Sequence, residues 1–201
     1  MTGEPLDANT RIERNRIIRH LLAELDLHGP GERIHAERVA VYAVSTGARL
    51  GMSEDQLLAL RYASELHDVG KIQISGSLLR KMGKLSEDDL EELRSHARRG
   101  AELLMQYDWL SESVEMIRHH HERWDGQGYP AGLMGTLIPL GSRVIAVAEA
   151  FDTMVHGPWG MKRDEHEALL ELEAQAGAQF DPAVVEAFEA VQPIIQPVSL
   201  I

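Results

Sequence analysis

Ser111-Glu112-Ser113-Val114-Glu115-Met116-Ile117-Arg118-His119-His120-His121-Glu122-Arg123-Trp124-Asp125-Gly126-Gln127-Gly128-Tyr129-Pro130 joins two kinds of sequence end to end. Val114 and Ile117 recur at helical spacing and lead straight into three consecutive histidines. From Glu122 onward the glycines and Pro130 forbid a regular helix and specify a shaped loop. A loop with such backbone demands, placed directly after clustered imidazoles, is one built for a purpose.

Outward from this segment the periodicity stays helical, with no internal repeat, so the class is all-α. The pattern predicts a first helix from about Thr10 to Leu25, with Ile17, Leu21, Leu22 and Leu25 on one side, ended by His28-Gly29-Pro30-Gly31. A second begins near His35 and carries Val39, Tyr42, Ala43 and Leu50. Ser53-x-x-Gln56 caps a third that runs to His67. After a loop from Val69 to Lys84, Ser86-x-x-Asp89 opens one continuous helix through His96 to Leu104. Another spans about Ser111 to Arg123. Pro139 starts a helix over roughly Leu140 to Val155, Asp164-x-x-Glu167 caps one that stops at Gly177, and Asp181-Pro182 starts the last. Residues 1–30 therefore read as a helix and turn packed on a domain of residues 31–192, with a frayed tail at 193–201.

Bulk properties narrow the function. A chain of 201 residues with 44% hydrophobic content buries a sizeable core. The formal charge of -12 argues against a nucleic-acid duplex or an anionic membrane as main partner, so an anionic substrate needs a locally positive site. No cysteine is present, which excludes disulfides, thiolate metal sites and cysteine nucleophiles. Any metal must then take nitrogen and oxygen ligands. Met1 to Thr10 is polar and no run approaches the ~18 apolar residues of a membrane span, so the expectation is a cytoplasmic protein with no span.

Ten histidines are present, and most single ones in any chain are surface or core residues. His20, His28, His156 and His166 are read so, and His119 lacks a partner. His67-Asp68 is stronger, because adjacent imidazole and carboxylate at a helix end bind one cation while the carboxylate bridges to a second. Lys71, in Val69-Gly70-Lys71, adds an ammonium where an anionic phosphate would be held.

Together these blocks resemble the HD-GYP family of cyclic di-GMP phosphodiesterases. The likeness rests on His35 with Arg38-Val39, His67-Asp68-Val69-Gly70-Lys71, His96, and His120-His121-Glu122-Arg123-x-Asp125-Gly126-x-Gly128-Tyr129-Pro130. Ile138-Pro139-Leu140, Arg143-Val144 and Phe180-Asp181-Pro182 extend it, so that it covers roughly His35 to Phe188. The resemblance implies an HD-type helical bundle with a metal centre of two divalent transition-metal ions, iron or manganese first and zinc or nickel next. It assigns His35, His67, Asp68, His96, His120, His121 and Glu149 as ligands, with Asp68 bridging. It implies hydrolysis of cyclic di-GMP to pGpG or GMP, with Asp68 and Lys71 catalytic and Lys71, Arg123, Gly128, Tyr129 and Pro130 at the substrate. A signalling-protein partner or a homodimer accompanies that role.

Three departures stand out. Where the family has an aspartate in a Val-Ala-Asp context, this chain has Glu149, one methylene longer, with Asp152 one turn on as a supporting or capping group. The family's Arg-Pro-Tyr-Lys is replaced by Gly157-Pro158-Trp159-Gly160, which removes two basic side chains, with Lys162 as the substitute. Gly31 stands where three-metal members carry a glutamate, which favours two metals. Two other readings stay open: a non-catalytic module that binds a cyclic dinucleotide or a protein, and an HD phosphohydrolase acting on another nucleotide. Trp109 reads as an anchor, Trp124 and Trp159 as flanking the site, and Arg94, Arg98 and Arg99 as a solvated face balancing Glu91 and Glu92.

Overall fold

The computed structural model describes residues 7–157 and 162–192. Among the described residues the regular elements are helices: α1 (Ala8–His28), α2 (Glu32–Arg49), α3 (Glu54–Leu66), α4 (Gly76–Leu79), α5 (Glu87–Arg94), α6 (His96–Leu104), α7 (Ser111–Arg118), α8 (Leu140–His156), α9 (Glu165–Ala174) and α10 (Pro182–Val191). Short 3-10 turns at Val69–Gln73, Asp108–Leu110 and Gly135–Leu137 connect them. None of the helices is long and apolar enough to cross a membrane.

The ends of these helices follow the capping chemistry in the sequence. The Ser53 hydroxyl accepts from Gln56 N while the Gln56 side chain accepts from Ser53 N, and Ser86 with Asp89 and Asp164 with Glu167 repeat the exchange. Asp181 accepts from Ala183 N and Pro182 takes the first helical position. α1 starts a little earlier than the apolar pattern indicates, because Asp7 caps Asn9 N and Thr10 N.

α2 lies at the centre, packed most extensively on α3 and α8. Its buried residues Ala36, Val39, Ala40, Tyr42 and Ala43 form the stripe that a core-facing helix requires. Tyr42 meets Phe151 of α8 and Phe188 of α10 with ring centroids 5.3 and 5.8 Å apart, and Phe151 and Phe188 are 5.0 Å apart. Leu60, Leu66, Leu104, Ile117 and Ile145 are fully buried around them, each stabilising the fold by about 1.5–3 kcal/mol relative to exposure. Ile18, Leu21, Leu22 and Leu25 bring α1 onto the same domain.

Two expected helices are shorter than their patterns, and both breaks fall beside histidines. The run from Ser86 to Leu104 divides at Ser95, whose hydroxyl donates to Glu92 O at 2.5 Å and competes with the helical ladder. The run toward Arg123 ends at Arg118, and His119 to His121 form a turn. The expected tail at 193–201 and the positions of Pro158, Trp159 and Gly160 lie outside the described residues.

One crossing fixes where the histidines meet. α6 lies directly on the 3-10 turn after Asp68, so close that a Cβ on Gly70 would stand 2.0 Å from His96 O and 2.6 Å from Gly100 N. Only glycine permits that approach. Gly70→Ala must force two backbones apart, and the expected cost is about 1–3 kcal/mol or more, a fall in Tm of about 2–4 °C per kcal/mol. Gly76→Ala meets only the flexible end of Arg80 and should change Tm little. Thermal unfolding followed by circular dichroism compares the two.

Candidate metal centre

Five elements deliver polar side chains to one place. α2 supplies His35 and Arg38, the end of α3 supplies His67 and Asp68, α6 begins with His96, the turn after α7 supplies His120 and His121, and α8 supplies Glu149 and Asp152. One donor atom from each of His35, His67 and Glu149 lies within 4.8 Å of the others, and the same holds for His96, His120 and His121. Asp68 stands between the two groups. Its Oδ2 is 3.3 Å from His67 Nε2 and its Oδ1 is 3.3 Å from His96 Nε2.

The imidazoles are oriented from behind. His67 Nδ1 donates to Ser64 O at 2.8 Å, His96 Nδ1 to Leu93 O at 2.7 Å and His120 Nδ1 to Ile117 O at 2.6 Å. A carbonyl only accepts, so each Nδ1 carries the proton and each Nε2 is left facing the centre. His35 does the same through Asp152, with Nδ1 2.7 Å from Oδ2. Asp152 is in turn held by Arg38, Nε to Oδ1 at 2.5 Å and Nη2 to Oδ2 at 2.8 Å.

This donor set fits divalent cations. His67 Nε2 and Asp68 Oδ1 are buried without a hydrogen-bond partner, a costly state for polar atoms unless a ligand completes them. His96 Nε2 lies 3.4 Å from His120 Nε2 and 3.1 Å from His121 Nε2. Nitrogens each about 2.0–2.1 Å from a shared ion stand apart by about such distances. Imidazole backed by carbonyl or carboxylate is the usual arrangement of metal-binding histidine.

The electrostatics agree. Burial disfavours the ionised Asp68, yet Lys71, His67 and His96 outweigh it and hold the carboxyl well below the usual range. Burial also works against a charged His67, but Asp68 and Glu149 push it up to about 9. His120 is pushed well below its ordinary value by burial and by its histidine neighbours.

Other expected site residues occupy less direct positions. Lys71 Nζ is 2.7 Å from Asp68 Oδ2 and 3.1 and 3.2 Å from the Glu32 oxygens, so its charge is already shared between two carboxylates. Arg123 forks onto Asp125 at 3.1 and 2.7 Å and reaches Gln179. Gly128 passes so near the chain that a Cβ would meet Arg123 N at 2.3 Å. That approach folds the loop back, with Tyr129 N donating to His121 O at 3.2 Å and the two rings 4.9 Å apart. Pro130 follows, and the buried Glu122 carboxylate accepts from Ala131 N at 2.7 Å and Leu133 N at 3.1 Å.

His119 turns to Glu122 and away from the clusters. Lys162, His20 and His166 are exposed, and His28 bonds Glu24 O. His156 is not the isolated residue its sequence context indicates: its Nδ1 is 3.2 Å from Asp152 Oδ1, out of line for a hydrogen bond. Glu32, nearly one turn before His35 on the same helix, joins the site through Lys71, a role its local sequence does not signal. Trp124 is tied at its backbone to Gln179 O and has Arg143 over its ring, while Trp109 packs on Tyr62 as an anchor. Glu149 separates two cavities, one of about 510 Å³ lined by His35, Arg38, Lys71 and His156, the other of about 390 Å³ lined by His121, Arg123 and Arg163.

Comparison with known proteins agrees with this architecture. The HD domain family model matches residues 19–184. The cyclic di-GMP phosphodiesterase response regulator RpfG of Xanthomonas campestris pv. campestris is 38% identical over 87% of this chain and 47% of its own length. A cyclic di-GMP phosphodiesterase of Thermotoga maritima is 38% identical over 77% of this chain and 43% of its own. The chain thus spans about half the length of these relatives. Among solved structures, a cyclic GMP-AMP specific phosphodiesterase of Vibrio cholerae, V-cGAP3, superposes with a TM-score of 0.68 at 26% identity, covering 88% of this chain and 48% of the other. The likeness carried by the histidine blocks is borne out, and with the matched span running from within α1 to the start of α10, the chain belongs to the HD domain family.

Proposed function

We propose that this domain is a metal-dependent phosphodiesterase that opens cyclic di-GMP by hydrolysis. The observation that carries the reading is the pair of three-donor clusters joined by Asp68, whose Oδ1, like His67 Nε2, makes no hydrogen bond in the buried centre. In this reading His35, His67 and Glu149 would hold one divalent ion and His96, His120 and His121 the other, with the Asp68 carboxylate placed between the two groups. Imidazole and carboxylate without thiolate suit iron or manganese, with zinc or nickel next. Bound there, such ions make water nucleophilic at neutral pH and offset the charge that gathers on phosphorus oxygens.

The chain's own residues do the positioning. Lys71 and the histidines keep Asp68 ionised, Asp152 sets the His35 ring, and Glu122 with Gly128 holds the Tyr129-Pro130 wall against His121. Hydrolysis adds water across one P–O3′ bond and yields pGpG, or GMP after a second round. The two relatives at 38% identity, both cyclic di-GMP phosphodiesterases, support this substrate. A cytoplasmic signalling setting, with a protein partner or a second copy, belongs to the same proposal.

Asp68→Ala should abolish turnover without unfolding the domain, since Lys71 keeps Glu32 as a partner. Chromatography of cyclic di-GMP incubated with manganese- or iron-loaded protein, beside circular dichroism, checks both halves. Loading metal at pH 7 should release about one proton from His67, which is protonated below about 9 in the free protein. Metal affinity should therefore rise with pH toward 9, as read by calorimetry in buffers of different ionisation enthalpy.

The glutamate at position 149 favours a second reading, a module that binds without cleaving. Glu149→Ala should lower the affinity of one of the two ions by about 10–100-fold, while Glu149→Asp should keep or raise activity. An inactive parent rescued by Glu149→Asp would replace the enzyme with the binding module.

A further inference from the structure

Around the centre the basic side chains are, with one exception among the described residues, already committed. Lys71 lies between Asp68 and Glu32, Arg38 forks onto Asp152, Arg123 onto Asp125, Arg163 reaches Glu171 and Arg143 reaches Asp181. The exception is Arg94. It closes α5 two residues before His96, is exposed, and has its guanidinium carbon 5.6 Å from the centroid of the Tyr129 ring. The Tyr129 ring lies 4.9 Å from that of His121.

Arg94 therefore stands one aromatic ring beyond the His96, His120 and His121 cluster. At that distance from the ring, and with no ion pair among the described residues, the Arg94 guanidinium keeps its N–H fork, which matches phosphate, uncommitted. A cyclic dinucleotide carries two phosphodiesters in one closed ring, so when one occupies the metal centre the other must lie near its rim. A protein of net charge -12 has to supply local positive charge there.

We propose that Arg94 binds the second, uncleaved phosphate of the cyclic dinucleotide, and so selects a two-phosphate ligand over a simple phosphodiester. The proposal rests on the functional reading above. Arg94 is thus a specificity residue, and its effect falls on binding rather than on the bond that breaks.

The test uses the full chain loaded with manganese or iron, comparing the parent with Arg94→Ala, Arg94→Lys and Arg98→Ala. Cyclic di-GMP is followed both by turnover and by equilibrium titration, and bis(p-nitrophenyl) phosphate, with one phosphorus, serves as the second substrate. Arg94→Ala should raise KM and Kd for cyclic di-GMP about tenfold, with kcat within about twofold and the rate on bis(p-nitrophenyl) phosphate unchanged. Arg94→Lys should recover part of the loss, keeping the charge without the fork. Arg98→Ala, whose arginine pairs with Glu102, should match the parent. An unchanged KM and Kd in Arg94→Ala, or an equal loss on both substrates, overturns the assignment while leaving the functional reading intact. A parent that cleaves bis(p-nitrophenyl) phosphate but neither binds nor cleaves cyclic di-GMP overturns the substrate reading and this assignment with it.

Discussion

Asp68 is a carboxylate 2% exposed at the heart of an apolar helical bundle, and a charge so placed is tolerated only when its surroundings answer it. Lys71 answers from the following turn, His67 from the preceding residue, and His96 from a helix that must be brought within reach. The last demand shapes the chain. It draws α6 onto the turn at Gly70, and Glu32 is in turn drawn to Lys71 from the start of α2. The ion pairs around the centre converge on one ionised side chain.

The helix ends share a second regularity. His67, His96 and His120 each follow a helix terminus or break, and each donates to the carbonyl three residues back, at Ser64, Leu93 and Ile117. Carbonyls in a last turn lack helical partners, so the imidazoles use groups that would otherwise need water or a cap. The ends of α3, α5 and α7 also carry the partial negative charge of the helix dipole, and they converge where cations are expected to sit. Breaking the helix at Ser95 is what gives His96 such an end.

Local chemistry was readable in the sequence where a few neighbouring residues decide it. Ser53 with Gln56, Ser86 with Asp89, and Asp181-Pro182 mark helix starts in the sequence as they do in the structure. The histidine blocks pointed to the right region because the motif residues are contiguous. The reading failed where a contact spans the chain or a single hydroxyl competes with the backbone. Arg94 is exposed, as its spacing indicates, but its place over Tyr129 is a contact between separate segments that spacing does not report. Asp152 supports the site as its position suggests, but its partner, His35, lies 117 positions away, and no local pattern reports that pairing. Glu32 carries no local signal, because its partner, Lys71, is 39 positions away.

That long-range pairing gives the centre a second character. The contact between His35 and Asp152 closes a stretch in which the two residues are 117 apart, and Glu149 joins His35 and His67 within the same closure. In an unfolded chain these groups are strangers, and bringing such distant segments together has an entropic cost that grows only slowly with length. An ion gripped by donors from α2, α3 and α8 would therefore act as a reversible crosslink over most of the molecule. Occupancy of the centre and persistence of the fold are then two views of one equilibrium, since whatever binds only the folded form holds the chain in it.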